Sequence, residues 1–270
     1  MQNIKIAVLL TCYNRKEKTK NAIEKISKSE LNIDFLVVDD GSTDGTIESI
    51  KDIKNVEILT GDGNLYYSGG MRKGMEYLIN NKKEYDYLLI INDDVEFFDN
   101  FLEKMIKYSE NKQCVVIGST IDDMGNLSYG GIKYKSRFSS KYDKYGPDYI
   151  GECDTFNANC VLIPYNYFKK CGTIDKHYIH AIGDFDYGFQ LKRQGYKLYI
   201  FSEYIGVCNG NSIANTWRDK NLSISERLRK KRQIKGLPFK PYFYYFYKNF
   251  NILLAIKCSI TPYIRILMKK

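Results

Sequence analysis

Carboxylates fall in three places where their spacing invites chemistry: Asp39-Asp40 within Asp39-Asp40-Gly41-Ser42-Thr43-Asp44-Gly45, Asp93-Asp94 after Asn92, and Asp184 and Asp186 within Gly183-Asp184-Phe185-Asp186-Tyr187-Gly188-Phe189. Adjacent carboxylates such as Asp93 and Asp94 repel each other, so such a pair is stable only beside a cation or hydrogen-bond donors. A hard divalent ion shared with a substrate diphosphate supplies that compensation; a solvated turn ahead of a helix is the plainer alternative. Asp39 and Asp40 can accept hydrogen bonds from a ribose hydroxyl or a base N–H, and Tyr13, in Thr11-Cys12-Tyr13-Asn14-Arg15, can lie against a base. Ser42 or Thr43 as a helix cap explains part of that run without any ligand, and Asp184 and Asp186 could likewise serve a helix end. A fourth segment, Gly63-Asn64-Leu65-Tyr66-Tyr67-Ser68-Gly69-Gly70-Met71-Arg72-Lys73-Gly74, has glycines that let backbone approach a ligand and leads into a helix whose amino end would face phosphate.

Short apolar runs must hold these groups. Ile4–Leu10, Phe35–Val38, Val56–Leu59, Tyr87–Ile91, Val115–Ile117 and Tyr196–Phe201 have the length and β-branched content of strands buried on both faces. Between them, Ala22, Ile23 and Ile26, then Met71, Met75 and Leu78, then Phe101, Leu102, Met105 and Ile106 recur at helical spacing. Strand alternating with helix predicts an α/β fold with a mostly parallel central sheet. Ligands of such sheets sit beyond the carboxyl ends of the strands, where Thr11–Arg15, Asp39–Asp44 and Asn92–Asp94 lie. From Asp122 to Tyr149 the pattern dissolves, and we expect a long loop region with a hairpin turning at Asp123–Asn126.

In the order Thr11-Cys12-Tyr13-Asn14-Arg15, Val37-Val38-Asp39-Asp40-Gly41-Ser42-Thr43-Asp44-Gly45-Thr46 and Ile91-Asn92-Asp93-Asp94-Val95, the three strand ends resemble the family 2 glycosyltransferases, with their nucleotide-sugar-binding GT-A fold. The resemblance covers roughly residues 3–210. It implies that Thr11, Tyr13 and Asp40 hold the base and Asp93 the ribose, with Asn14 and Arg15 as further nucleotide contacts. By the same resemblance Asp94 binds Mg2+ or Mn2+ on the diphosphate. The segment from Gly63 looks like the GNLWW-type stretch of bacterial rhamnosyl- and galactofuranosyltransferases, with Tyr66-Tyr67 in place of paired tryptophans, and adds Asn64 and Arg72 to the donor site. Gly183–Phe189, followed by Arg193-Gln194-Gly195-Tyr196, is similar to the family's E-D-x-D and R-x-x-G-Y segments and puts Asp184 at the position of the general base. One base and a direct displacement imply inversion.

Two positions depart from the family's pattern. Gly183 stands where a glutamate usually precedes the base. Cys208 stands where many members carry a metal-binding histidine, and a thiol suits a hard ion poorly. The chain has only two histidines, and for His180 a sugar contact and a structural role are both open.

In composition the 270-residue chain, 44% hydrophobic and 27% charged, falls within the range of folded globular proteins. Its net charge of +9 is unevenly spread. Residues 218–270 hold fourteen basic residues against two acidic ones, net +12, which leaves −3 for the preceding part. We therefore expect a catalytic domain over 1–215 and a basic, aromatic-rich helical tail over 216–270 that lies on an anionic membrane surface, packs on the catalytic domain, or does both. Seven scattered cysteines without a CxxC pair exclude a zinc ribbon and a disulfide framework. With no leader pattern and no run of about 18 apolar residues, a cytoplasmic protein peripheral to the inner face of the membrane is expected.

The resulting expectation is an inverting, metal-dependent transfer of rhamnose or another hexose from a dTDP- or UDP-sugar to a saccharide acceptor, lipid-linked, in surface polysaccharide synthesis. The oligomeric state is left open. The competing classes are an inactive sugar-nucleotide-binding subunit and a nucleic-acid-binding protein using the tail; the second leaves the acidic strand ends without purpose, so nucleic acid is not expected as a partner.

Overall fold

The computed structural model describes residues 4–269; residues 1–3 and Lys270, the outer ends of the two expected domains, lie outside the described residues. The first half of the chain runs β1 (Lys5–Cys12), α1 (Lys16–Ile26), β2 (Asn32–Asp39), α2 (Thr46–Ile50), β3 (Val56–Thr60), α3 (Tyr66–Asn80), β4 (Tyr87–Ile91), β5 (Glu96–Phe97) and α4 (Phe101–Lys112). The second continues with β6 (Val115–Ile121), β7 (Leu127–Tyr129), β8 (Gly131–Tyr134), β9 (Tyr142–Tyr145), β10 (Thr155–Phe156), β11 (Cys160–Pro164), α5 (Tyr165–Cys171), α6 (Gly183–Arg193) and β12 (Leu198–Val207). The tail forms α7 (Ile224–Arg232), α8 (Phe239–Asn249) and α9 (Ile252–Leu267).

The main sheet has the order β3-β2-β1-β4-β11-β6-β12-β5, with β7 added to β6. Strands β3, β2, β1 and β4 are mutually parallel, as are β6 and β12, whereas β11 runs antiparallel between β4 and β6. The alternation of side chains along each strand divides the core in two. Ala7 and Leu9 of β1 face a layer containing Met71, Met75 and Leu78 of α3, while Ile6, Val8 and Leu10 face Ala22, Ile23 and Ile26 of α1 and Phe101, Leu102, Met105 and Ile106 of α4. Every apolar residue assigned to a helix face from its spacing is buried. On α3, a Cβ at Gly74 would lie 2.3 Å from Leu9 Cδ1 and one at Gly70 would lie 2.4 Å from Thr11 Oγ1. These glycines thus seat the helix on β1. The helix already begins at Tyr66, and the close approach expected toward a ligand is, at Gly70 and Gly74, made to β1 instead.

The expected loop region over Asp122–Tyr149 contains three short strands, β7, β8 and β9, and the hairpin expected to turn at Asp123–Asn126 is present. Asp122 closes the β6–β7 hairpin by accepting from Met124 N–H (3.0 Å) and Asn126 N–H (2.8 Å). Beyond it, β10, β8 and β9 make a separate three-stranded antiparallel sheet. Its strands are two to four residues long, with β10 buried, β8 buried only at Gly131 and Ile132, and β9 largely exposed, so no continuous apolar run marks them.

The tail packs on the body. Tyr245, Phe246, Leu254, Ala255 and Cys258 lie in the same buried layer as α3. Helix α7 opens with a capping box between Ser223 and Glu226, and Lys231, buried, donates to Gly236 O and Leu237 O. Among the described residues, no helix is long and apolar enough to cross a membrane.

Candidate active site at the strand ends

At the carboxyl end of β1, the Thr11 hydroxyl donates to Val38 O (3.0 Å), tying the strand to β2. Asn14, in the left-handed region at φ 51°, donates its N–H to Ser42 Oγ (2.8 Å) and accepts from Thr43 N–H (2.8 Å). Tyr13 between them is 53% exposed, with its ring free to meet a ligand. Arg15 turns across the sheet: its Nη1 donates to Asp93 Oδ1 at 2.7 Å and to Asp94 Oδ2 at 3.0 Å. The repulsion anticipated for the adjacent pair is therefore compensated by the protein's own guanidinium. Thr19 Oγ1 adds a second donor to Asp93 at 3.0 Å. Burial pushes the Asp93 carboxyl up, against the pull of Arg15; Arg15 is itself raised, its two carboxylates outweighing burial.

At the end of β2, buried Asp39 accepts from Gly41 and Ser42 N–H (3.1 and 2.9 Å) and shapes the turn. Neither Ser42 nor Thr43 caps α2: Asn14 engages both, the cap position is Gly45 with no side-chain bond, and Asp44 accepts from Thr46 N–H at 3.0 Å. Asp40 accepts from Gly63 N–H (3.0 Å), Leu65 N–H (3.1 Å) and Tyr66 N–H (2.9 Å). It anchors the loop that leads into α3, with both oxygens engaged by backbone, and Asn64 lies exposed on the same loop. Arg72 is directed elsewhere: it donates to the carbonyls of Asp175 (3.2 Å) and Tyr178 (3.0 Å), in the loop ahead of α6.

That loop delivers Asp184 in the first turn of α6. Its Oδ2 accepts from Ala158 N–H (3.2 Å), just before β11, and its Oδ1 from Phe185 N–H (2.9 Å). Because β11 is antiparallel, its amino end meets the carboxyl end of β4, where Asn92 N–H donates to Asn159 O at 3.0 Å. Burial outweighs these amides and pushes the Asp184 carboxyl up to about 6. The tightly packed Gly183 explains the departure noted in the sequence: a Cβ there would lie 2.4 Å from Ser68 Oγ.

Three further residues belong to this cluster: Tyr67, singled out within the Gly63–Gly74 segment, and Asn159 and Thr19, which spacing does not reveal. The Tyr67 hydroxyl donates to Ala158 O (3.4 Å), and the phenol is raised well above its ordinary value by burial and then by the Asp184 and Asp94 carboxylates. Asn159 Nδ2 donates to Cys208 Sγ (3.6 Å), and that thiol in turn donates to Asp94 Oδ1 (3.7 Å). Thr19 completes the set. Asn159 directly precedes a buried run, a legible signal only once β11 is known to be reversed.

A divalent ion fits here in one way. Among the described residues, no three His, Cys, Asp or Glu side chains are gathered to hold an ion unaided. Burial, with Asp94 next, pushes Cys208 up to about 12, so it remains a thiol and no ligand for a hard ion. Asp94 Oδ1 takes no bond from Arg15 and accepts the weak S–H of Cys208 (3.7 Å), a contact an ion can displace, which suits Mg2+ or Mn2+ held by one carboxylate and completed by diphosphate and water.

The family model for glycosyl transferase family 2 matches residues 7–162. Among solved structures, the chain resembles the mannosyltransferase PcManGT from Pyrobaculum calidifontis, in complex with GDP-Man and Mn2+, at 13% identity over 97% of this chain and 74% of that one, TM-score 0.57. It resembles S. aureus TarS 1–349 at 13% identity over 97% and 81%, TM-score 0.58. It resembles GalNAc-T7 with UDP, GalNAc and Mn2+ at 14% identity over 90% and 50%, TM-score 0.55. At these identities the likeness is one of fold. No curated protein gives a significant match.

Proposed function

The chain belongs to glycosyl transferase family 2, and from that premise we propose that it moves a hexosyl group, rhamnose or another hexose, from a dTDP- or UDP-linked donor to a saccharide acceptor with inversion. The observation that carries the reading is Asp184: a carboxyl pushed up to about 6, held by backbone amides in the same cluster as Asp94. A base poised near working pH can take a proton from an acceptor hydroxyl as that oxygen attacks the anomeric carbon.

The donor would lie along the strand ends, with Tyr13 against the base, Asp93 toward the ribose, and Thr11, Asn14 and Asn64 around it. Asp40 and Arg72 act from behind. Asp40 sets the loop before α3, and Arg72 fixes the loop before α6. Arg15 has a choice of partners, since an incoming diphosphate competes with Asp93 and Asp94 for its guanidinium. An ion on Asp94 would stabilise the departing diphosphate; PcManGT and GalNAc-T7, each solved with Mn2+, support that reading by analogy of fold. Tyr67, a protonated phenol that donates to Ala158 O (3.4 Å), can turn that hydroxyl to the transferred sugar.

The acceptor is proposed to be lipid-linked, in surface polysaccharide synthesis, with the tail on the anionic inner face of the membrane. A panel of nucleotide sugars tested for thermal stabilisation with and without Mn2+ identifies the donor, because a ligand that binds only the folded chain raises its stability by mass action. No stabilisation by any nucleoside diphosphate sugar would sink the reading.

A further inference from the structure

Helix α9 is apolar on both faces. Leu254, Ala255, Cys258, Ser259, Pro262 and Ile266 are buried against the body. On the opposite face Leu253, Ile256, Ile260, Ile264 and Leu267, spaced by three and four residues, are 75%, 43%, 42%, 48% and 60% exposed. A surface helix ordinarily turns its polar side outward, so an outward aliphatic stripe five residues long calls for a partner.

The charge around the stripe selects that partner. After Glu226 the sequence contains no acidic residue. Lys257 and Arg265 are exposed on α9 itself, and neighbouring α8 exposes Phe239, Lys240 and Tyr247. A two-fold interface with a second copy would set these cations against their own images, since a two-fold interface meets itself. An acidic phospholipid surface accepts both features, taking the aliphatic side chains below the headgroups and pairing the cations with them. At about 1.5 Å per residue, the sixteen residues of α9 reach about 24 Å, short of the hydrocarbon core, and the buried face holds the helix to the body. It can therefore only lie in the membrane plane.

We propose that the outward face of α9, Leu253, Ile256, Ile260, Ile264 and Leu267, is a membrane-insertion surface for anionic phospholipid, flanked by Lys257 and Arg265. The proposal rests on the peripheral-membrane reading above and assigns it to one face of one helix. Lys248 and Asn249 at the end of α8 bond to Asp186 on α6 (2.7 and 2.7 Å), so the lipid-facing pair of helices is tied to the helix that carries Asp184.

The test is cosedimentation of the full chain with vesicles of phosphatidylcholine alone or with phosphatidylglycerol, beside size measurement in solution. Wild type is expected to bind the anionic vesicles at least about tenfold more tightly than neutral ones, Ile256→Glu/Ile260→Glu to lose at least about tenfold, and Lys257→Glu/Arg265→Glu to lose the preference for phosphatidylglycerol. All changed positions are exposed, and unchanged thermal unfolding certifies the fold. Equal anionic binding by wild type and Ile256→Glu/Ile260→Glu overturns the proposal. So does a wild-type dimer that this variant dissociates without any vesicle binding, which would assign the face to a second copy. Transfer to a water-soluble acceptor is measured separately, so failure of the lipid surface and failure of the glycosyltransferase reading are distinguishable.

Discussion

Lys248 Nζ, in the tail, lies 2.7 Å from Oδ2 of the fully buried Asp186, two residues beyond Asp184 on α6. A buried carboxylate is tolerable only with its partners in place. Asn249 Nδ2 serves Oδ1 at 2.7 Å, and Lys248 also reaches Asp175 at 2.8 Å. Lys248→Met is expected to lower the unfolding free energy by about 2–4 kcal/mol, since it strands a buried charge. Adding Asp186→Asn should recover part of that loss. Urea unfolding of the two single variants and the double variant checks the coupling; additive effects would show that the tail is not held this way.

Asp184→Asn is expected to reduce transfer at least about a thousandfold while donor binding persists. Wild-type transfer should rise with pH through about 6, because only the ionised carboxyl accepts a proton. The stability consequence has the opposite sign. The folded carboxyl keeps its proton to higher pH than the unfolded chain's, so its contribution is fullest below the ordinary carboxylate range and is lost as pH rises through about 6. At pH 7 the asparagine variant should therefore be more stable than wild type by about 1–3 kcal/mol. A less stable variant with a flat pH profile for wild type would contradict the assignment of burial as the cause.

The strand ends were legible because parallel strands buried on both faces are unbroken apolar runs, after which Asp39-Asp40 and Asp93-Asp94 stand out. The reversed strand β11 was not, since Cys160–Pro164 reads like any buried run and nothing local tells its direction; Asn159 was hidden with it. Arg15 was visible as a candidate, but its bridge to Asp93 and Asp94 depends on β1 and β4 being neighbours, a contact spanning 78 and 79 positions in sequence. The three-stranded sheet is not legible because strands of two to four residues, one of them largely exposed, are too short to carry a periodicity. Packing of the tail on the body is one of the readings its composition allows; which face of α9 points outward is set by that packing and not by the tail's sequence alone.

Arg15 and a divalent ion answer the same repulsion, and this makes a prediction about metal. Mn2+ alone should stabilise the chain little, because Arg15 already neutralises Asp93 and Asp94. Mn2+ with a nucleoside diphosphate should raise the unfolding temperature clearly, as the diphosphate draws Arg15 away and completes the ion's shell. Asp94→Asn should abolish that joint effect, and a chelator should lower wild-type transfer. Arg15→Gln should cost about 1–3 kcal/mol in the absence of ligand, since Asp93 is 4% exposed and retains only Thr19 as donor. Full transfer in excess chelator would remove the ion from the mechanism.

Gly183 is where the chain departs from its family, and the contact that explains the departure can be tested from both sides. A Cβ at this position would lie 2.4 Å from Ser68 Oγ and 3.0 Å from Ile174 Cγ2, between α3 and the start of α6. Ser68 cannot easily rotate away, because its hydroxyl donates to His180 O. Gly183→Ala is thus expected to destabilise by about 1–3 kcal/mol through overpacking, and to lower transfer by shifting the turn that holds Asp184. Ser68→Ala removes the nearest obstructing atom, so Ser68→Ala/Gly183→Ala should be less destabilised than the sum of the single variants by at least about 0.5 kcal/mol. Denaturant unfolding of the three variants measures that coupling. Additivity would mean that Gly183 is not required by packing against Ser68, and the missing glutamate would then need another cause.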